Sequence, residues 1–394
     1  MLLILFAMCC LYATMDVQGI PQDGKNKPRT LMNTKELILY HGYPCEEHDV
    51  VTQDDYILSI FRIPYGREEN ASTNSKPAVL LQHGMFGEAS NWIASGSSNS
   101  LGFVLADNGC DVWLGSSRGS QWSKKHVSLS TEDENFWAFS FDHMAQYDLP
   151  ATVDFILQKT GQQQLFYVGH SQGSTIGFIA FSTMPHLARK IKINFALAPV
   201  VSVKHAISPL KKLFTLPDFL YKIILGTKEF NWRRPVSRDK SGFCSFFEYS
   251  NICSNIIYNL FWSAQKALNM SQVDGYEVNR LVGTSVQNLI HWSQVMKSGK
   301  LQAYDYGTLK NLERYEKTHP PEYNVTNMNV STAVWNVGND GLADPEDIAL
   351  LLPQITNLTY HKFIPEWDHE SFIYGLDAYV QLHREILNMI KGSY

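Results

Sequence analysis

The sequence predicts an α/β protein: a doubly wound, mostly parallel sheet with a helical insertion. Three observations carry that expectation. Short runs that are apolar at nearly every position recur along the chain, as in parallel strands covered on both faces. Helical stretches alternate with several of these runs. The alternation then lapses for a long stretch and resumes for two more strands.

In chain order the first runs are "PAVLLQHG" (77–84), "CDVWLG" (110–115), "QLFYVGH" (164–170) and "INFALAPV" (193–200), each leading into a glycine-rich or polar turn. "HMAQYDLPATVDFILQKTG" reads as a helix before the third run and "STIGFIAFSTM" as a helix after it. Between 202 and 326 the chain holds helix-like, aromatic-rich segments such as "LFTLPDFLYKIIL" and "NIIYNLFWSAQKAL", with no clear strand. Two strand runs still follow, "STAVWNVG" (331–338) and "LTYHKFI" (358–364), so the stretch reads as a cap inserted into the sheet domain. "HESFIYGLDAYVQLHREILNMI" closes the chain as a helix. The expected organisation is a leader at 1–19, the core at 20–201, the cap at 202–326 and the rest of the core at 327–394.

Of the 394 residues, 44% are hydrophobic and 18% charged, as in ordinary globular proteins, and the net charge is −5. No cluster of Lys and Arg forms a basic face, which argues against a nucleic-acid partner. The opening "MLLILFAMCCLYATMDVQG" suits a signal-peptide core with cleavage near Gly19. Its apolar part is shorter than the ~20 residues that span a membrane, so no transmembrane segment is expected. Sequons at Asn70, Asn269, Asn324, Asn329 and Asn357 point the same way, to the secretory route, where disulfides persist. Cys244 and Cys253 lie close together without zinc-type partners and read as a small disulfide-closed loop. Cys110, beside the apolar "DVWL", reads as a buried thiol, and Cys45 stays undecided.

Two Gly-x-Ser-x-Gly matches compete for a nucleophile, "GHSQG" around Ser171 and "GSSRG" around Ser117. A nucleophile elbow needs a buried strand, a sharp turn and a helix that starts at once. Ser171 has all three, and the helix start places positive dipole and open N–H groups beside its hydroxyl. Ser117 has the strand, but polar "SQWSKKHVSLS" follows it, so it reads as structural.

A serine nucleophile needs a base to take its proton and a carboxylate to orient that base, later in the chain in the order Ser, Asp or Glu, His. Asp340 and Asp344 compete for the carboxylate in "WNVGNDGLADPEDIALLL". Asp344 has the helix N-cap pattern, with Pro345 after it and Asp347 at the third helical position, which favours Asp340 for catalysis. For the base, His361 falls inside a strand, facing a helix or the core, and His383 inside the terminal helix. His369 lies in the loop "PEWDHESF" and can reach the elbow. The oxyanion needs backbone donors: the "LLQHGMFG" turn offers the N–H of Met85, to pair with that of Gln172 after the nucleophile. His83 reads as a structural hydrogen-bonder in that turn.

With these residues in place, the chain resembles the acid lipase family of gastric and lysosomal lipases along nearly its whole length. The segments that carry the resemblance are "GYPCEEHDVVTQDDYIL", "LQHGMFGEASNWI", "DVWLGSSRG", "FWAFSFDHMAQYDLPA", "YVGHSQGSTIGFIAFST", "GTSVQN", "SGKLQAYDYG" and "LADPEDIALLLP". The resemblance implies an α/β-hydrolase fold with an inserted helical lid. It places Ser171, Asp340 and His369 on the family triad and Met85 and Gln172 on its oxyanion hole. It also implies a cap disulfide Cys244–Cys253, with no metal or organic cofactor. The chain departs from the family at "WNVGND", where the pattern has Gly-Gly ahead of the Asp, and at "VNRLVGTSVQN" in place of "HNPAGTSVQN". The expected function is a secreted or lysosomal serine lipase acting on triacylglycerol or cholesteryl esters at a lipid–water interface. The rivals are a peptidase or thioesterase on the same fold, and a non-catalytic lipid binder.

Overall fold

The computed structural model describes residues 32–68, 75–206, 217–231 and 282–394. The leader, Asn70, Asn269, Cys244, Cys253 and residues 207–216 and 232–281 of the expected cap lie outside the described residues.

Strands β1 (Glu46–Val51) and β2 (Tyr56–Ile63) form an antiparallel hairpin that a search for continuous apolar runs misses. β1 alternates in exposure instead of being apolar throughout. The six runs named above all form strands: β3 (Ala78–Gln82), β4 (Asp111–Leu114), β6 (Leu165–His170), β7 (Ile191–Leu197), β10 (Thr332–Asn339) and β11 (Leu358–Asp368), with a short β5 (Lys125–His126) paired to β2. The sheet order is β1-β2-β4-β3-β6-β7-β10-β11. From β4 to β11 neighbours are parallel, and β2 joins β4 antiparallel. β3, β4 and β6, at the centre, are buried at every residue, which is why their sequences carry no polar alternation.

β11 differs from its expected character because it is the sheet edge. Its first six residues are half-buried or exposed in alternation, and it runs on to Asp368, so the first half of "PEWDHESF" is strand and the turn starts at His369. His361 is exposed there and shares a 2.8 Å hydrogen bond with Asn336 Oδ1 instead of facing a helix or the core.

The longer described helices are α1 (Thr34–Tyr40), α2 (Leu101–Asp107), α3 (Leu149–Thr160), α4 (Gln172–Thr183), α5 (Asp218–Leu225), α6 (Val286–Ser298), α7 (Thr308–Tyr315), α8 (Pro345–Leu351) and α9 (Arg384–Ser393). α4 is buried from Gln172 through Ser182, and its Ser174, Thr175 and Ser182 hydroxyls donate to backbone carbonyls. Between β7 and β10 the chain carries α5, α6, α7 and a two-stranded ribbon of β8 (Glu229–Phe230) and β9 (Thr284–Ser285). That ribbon corrects the expectation of a strand-free stretch: two-residue strands leave no periodic signal. The terminal helix is also interrupted. One turn, Ser371–Tyr374, stops at Gly375, where Trp367 Nε1 donates to Asp377 Oδ1 at 3.0 Å, and the helix restarts in a π-turn at Tyr379–His383.

The "GSSRG" turn after β4 is structural, and a buried cation explains it. The Arg118 side chain is fully buried, donating to both carboxylate oxygens of Asp54 at 2.6 and 2.8 Å and from Nε to Asp148 at 2.8 Å. Its guanidinium lies 3.9 Å from the Tyr56 ring centroid. One residue therefore ties together the turn before β2, the turn after β4 and the π-turn that precedes α3. Removing the cation strands two carboxylates, so Arg118→Met is expected to lower stability by about 3–5 kcal/mol in urea unfolding. A loss below about 1 kcal/mol would show that solvent reaches and screens the cluster.

Candidate active site

Ser171 sits where β6 turns into α4. Its backbone adopts φ +54° and ψ −122°, a left-handed conformation that a residue with a Cβ resists, and its N–H is tied to the Leu197 carbonyl at the end of β7. The elbow glycines are explained by space. A Cβ on Gly173 would lie 2.4 Å from the Gln82 carbonyl oxygen and 2.9 Å from that of His83, and one on Gly169 would lie 2.7 Å from the Gly173 backbone. α4 can therefore begin hard against the end of β3, which brings the "HGMF" turn over the serine.

Three side chains from the ends of three strands converge. His369 follows β11 directly; Asp368, its neighbour, accepts from the Ser371 N–H and hydroxyl and so shapes the turn. His369 Nε2 lies 2.8 Å from Ser171 Oγ, and Nδ1 lies 2.7 Å from Asp340 Oδ2. The other Asp340 oxygen accepts the backbone N–H of Leu342 and of Ala343, each at 2.8 Å. All three residues are buried, with Ser171 8%, His369 4% and Asp340 3% exposed. Burial alone would lower His369 and raise Asp340. The attraction between them outweighs it, holding Asp340 below the usual carboxylate range and raising His369 to about 9. Glu370 is pushed up to about 7 by burial, against the pull of His369 and with the charges of Asp368 and Asp340.

The competitors lie elsewhere. Asp344 caps α8, accepting from the Glu346 N–H at 2.8 Å. His383 is 1% exposed and lowered to about 3 by burial, so it stays neutral within the terminal helical segment. Ser117 is 5% exposed, and its hydroxyl accepts from Gln82 Nε2 at 2.9 Å. Cys110 is buried, and Cys45 is half-buried with its thiol pushed up to about 12 by burial. The departure at Asn339 is accommodated at the strand end, where its amide donates to the Pro365 carbonyl at 3.0 Å.

Around Ser171 the two expected oxyanion donors, the backbone N–H groups of Met85 and Gln172, make no hydrogen bond among the described residues. Met85 lies in the "HGMF" turn after β3, and Gln172 is the first residue of α4. Some residues that support this arrangement escape a motif search. His170 Nε2 donates to the His369 carbonyl at 2.9 Å, and burial lowers His170 to about 3. The Gln172 side chain is clamped by α6: Asn288 Nδ2 and Trp292 Nε1 both donate to its Oε1, at 2.9 and 2.7 Å. Asn288 in turn accepts the Phe141 N–H at 2.8 Å. "GTSVQN" was the available signal for Asn288, but nothing in its spacing says which residue it touches. Among the described residues no cluster of His, Cys, Asp and Glu could hold a metal ion.

The arrangement is an alcohol, a base and a buried carboxylate in a hydrogen-bonded line, with two open N–H groups nearby. That set can deprotonate the serine as it attacks a carbonyl carbon and can receive the resulting oxyanion. A family model described as the alpha/beta hydrolase fold matches residues 77–376, and one described as a partial alpha/beta-hydrolase lipase region matches residues 34–96. The chain is 51% identical to human Lipase member M over 366 residues, covering 92% of this chain and 86% of that one. It is 50% identical to human lysosomal acid lipase/cholesteryl ester hydrolase over 366 residues, 92% of each chain. With rat gastric triacylglycerol lipase it shares 49% identity over 370 residues, 93% of each.

Proposed function

Because this chain belongs to the acid lipase family of α/β-hydrolases, we propose that it is a serine ester hydrolase that cleaves neutral lipids, triacylglycerol or cholesteryl esters, through an acyl-enzyme. The observation that carries this reading is the line from Ser171 Oγ through His369 to Asp340, with 2.8 and 2.7 Å steps.

In this reading Ser171 attacks the ester carbonyl as His369 Nε2 takes its proton. Asp340 keeps the imidazole's other proton on Nδ1 and stabilises the imidazolium. The Met85 and Gln172 N–H groups hold the oxyanion, each worth about 3 kcal/mol in the transition state. Collapse releases the alcohol, which leaves with the proton from His369. A water deprotonated by His369 then frees the fatty acid and restores Ser171. The chemistry uses no metal and no organic cofactor. On this reading the stretch 202–326 is the cap over the acyl cleft, and it opens at a lipid surface.

The leader at 1–19 and the sequons support a secreted or lysosomal glycoprotein. Asn324 and Asn329 are exposed and Asn357 is half-buried. Among the described residues no helix is long and apolar enough to cross a membrane.

The test is hydrolysis of triolein and cholesteryl oleate emulsions, run beside peptide and long-chain thioester substrates. Faster peptide or thioester turnover would replace the lipase reading. Absence of turnover on all four, with no fluorophosphonate labelling, would favour a lipid binder.

A further inference from the structure

The "HGMF" turn and the second Gly-x-Ser-x-Gly are joined by a histidine that has no part in the triad. His83 is 5% exposed, directly after β3. Its Nε2 accepts the backbone N–H of Ser117 at 3.1 Å, and its Nδ1 lies 2.8 Å from the Gly84 carbonyl oxygen. An N–H can only donate and a carbonyl can only accept, so the two contacts together place the single proton on Nδ1. Burial lowers His83 to about 4, which keeps the imidazole neutral and this arrangement intact well below neutral pH.

The Gly84 carbonyl also accepts the Gly87 N–H, at 3.2 Å, closing a turn in which Phe86 has φ +62°. A phenylalanine in that left-handed region strains the turn, so the longer Gly87 bond works against the backbone's own preference. The His83 bond is the shorter of the two and comes from outside the turn. In a trans peptide the N–H points opposite the carbonyl, so whatever aims Gly84 O also aims the Met85 N–H. Gly84 is packed on the nucleophile: a Cβ there would lie 2.9 Å from Ser171 Cβ and 3.4 Å from its Oγ.

We propose that His83 is a positioning residue of the oxyanion hole, locked as the Nδ1–H tautomer by the Ser117 N–H and turning the Gly84–Met85 peptide so that the Met85 N–H faces the substrate oxygen. The "GSSRG" segment, held by Arg118 on Asp148 and Asp54, is the anchor of that relay. The inference rests on the serine-hydrolase reading and on Met85 as a donor.

Three variants of the full chain separate the roles. His83→Asn places an amide N–H where Nδ1 was and keeps the bond to Gly84. His83→Gln reaches toward Ser117 but loses the donor to Gly84. His83→Leu loses both. Sites are counted by end-point fluorophosphonate labelling, so that kcat refers to folded, competent enzyme. His83→Gln and His83→Leu are expected to lose at least about tenfold in kcat per labelled site with KM within about threefold, while His83→Asn stays within about threefold of wild type. If His83→Leu yields no labelled sites, the Asn and Gln pair decides alone. Wild-type kcat per site in His83→Gln, or an equal loss in Asn and Gln, overturns the proposal. Failure of the wild type to label at Ser171 sinks the reading beneath it, and this proposal with it.

Discussion

Ser171→Ala is expected to lower ester hydrolysis on the order of 10⁴-fold or more and to abolish fluorophosphonate labelling. The reason is positional. Ser171 Oγ is the atom 2.8 Å from His369 Nε2, and among the described residues no other hydroxyl bonds that nitrogen. Ser117→Ala removes a hydroxyl that accepts from the Gln82 amide, so it is expected to cost about 1–3 kcal/mol of stability and to leave labelling in place. Equal rate losses in the two folded variants would overturn the assignment. Replacing Ser171 also exposes the strain stored at the elbow. At φ +54° a glycine is unhindered and an alanine is not, so Ser171→Gly should be more stable than Ser171→Ala by about 1–3 kcal/mol in urea unfolding.

Asp340→Asn is expected to reduce kcat by about 10⁴-fold with the fold retained. The asparagine oxygen can still accept the N–H groups of Leu342 and Ala343, which turns its amide NH₂ toward His369 Nδ1. Nδ1 must then accept, the ring proton moves to Nε2, and Nε2 can no longer take the proton of Ser171.

The pH behaviour follows from the same pair. His369 is raised, so its contribution to stability is complete below the ordinary histidine value of about 6.5 and is lost as pH rises through about 9. Asp340 is lowered, so its contribution is present above the ordinary value of about 3.9 and is lost as pH falls through its depressed value. The stability gap between wild type and Asp340→Asn should therefore be widest between about pH 4 and 6.5 and narrower above about 9, as read by urea midpoints at pH 5 and 9.5. Without the carboxylate the imidazole holds its proton less tightly, so the acid limb of residual kcat/KM should lie at lower pH in the variant. An unchanged limb would mean that Asp340 does not set the histidine's charge.

The central strands were legible because β3, β4 and β6 are buried on both faces and must be apolar throughout. β1 and the β8–β9 ribbon were not: one alternates in exposure and the other is too short to show a period. The three residues of the proposed triad, which the structure brings into one hydrogen-bonded line, were legible for a similar reason. Each follows a strand, and the rival residues had a local job visible in the chain, as Asp344 does in capping α8. His170, Asn288 and Trp292 had no such mark, because their partners lie far away in sequence: 199 residues for His170 and His369, 116 for Asn288 and Gln172.

The order of the buried parallel strands and the helices between them, the elbow motif at Ser171 and the types of residue needed after β10 and β11 were determined by the chain alone, since local pattern and chemistry specify them. Only the folded molecule decided what those residues touch. The contacts of the His369 imidazole, the bond from the Ser117 N–H to His83 and the clamp on Gln172 all depend on hydrogen bonds between segments that sequence spacing leaves unrelated. Such bonds are directional and short-ranged, so they come into being only when the sheet has brought its strand ends together.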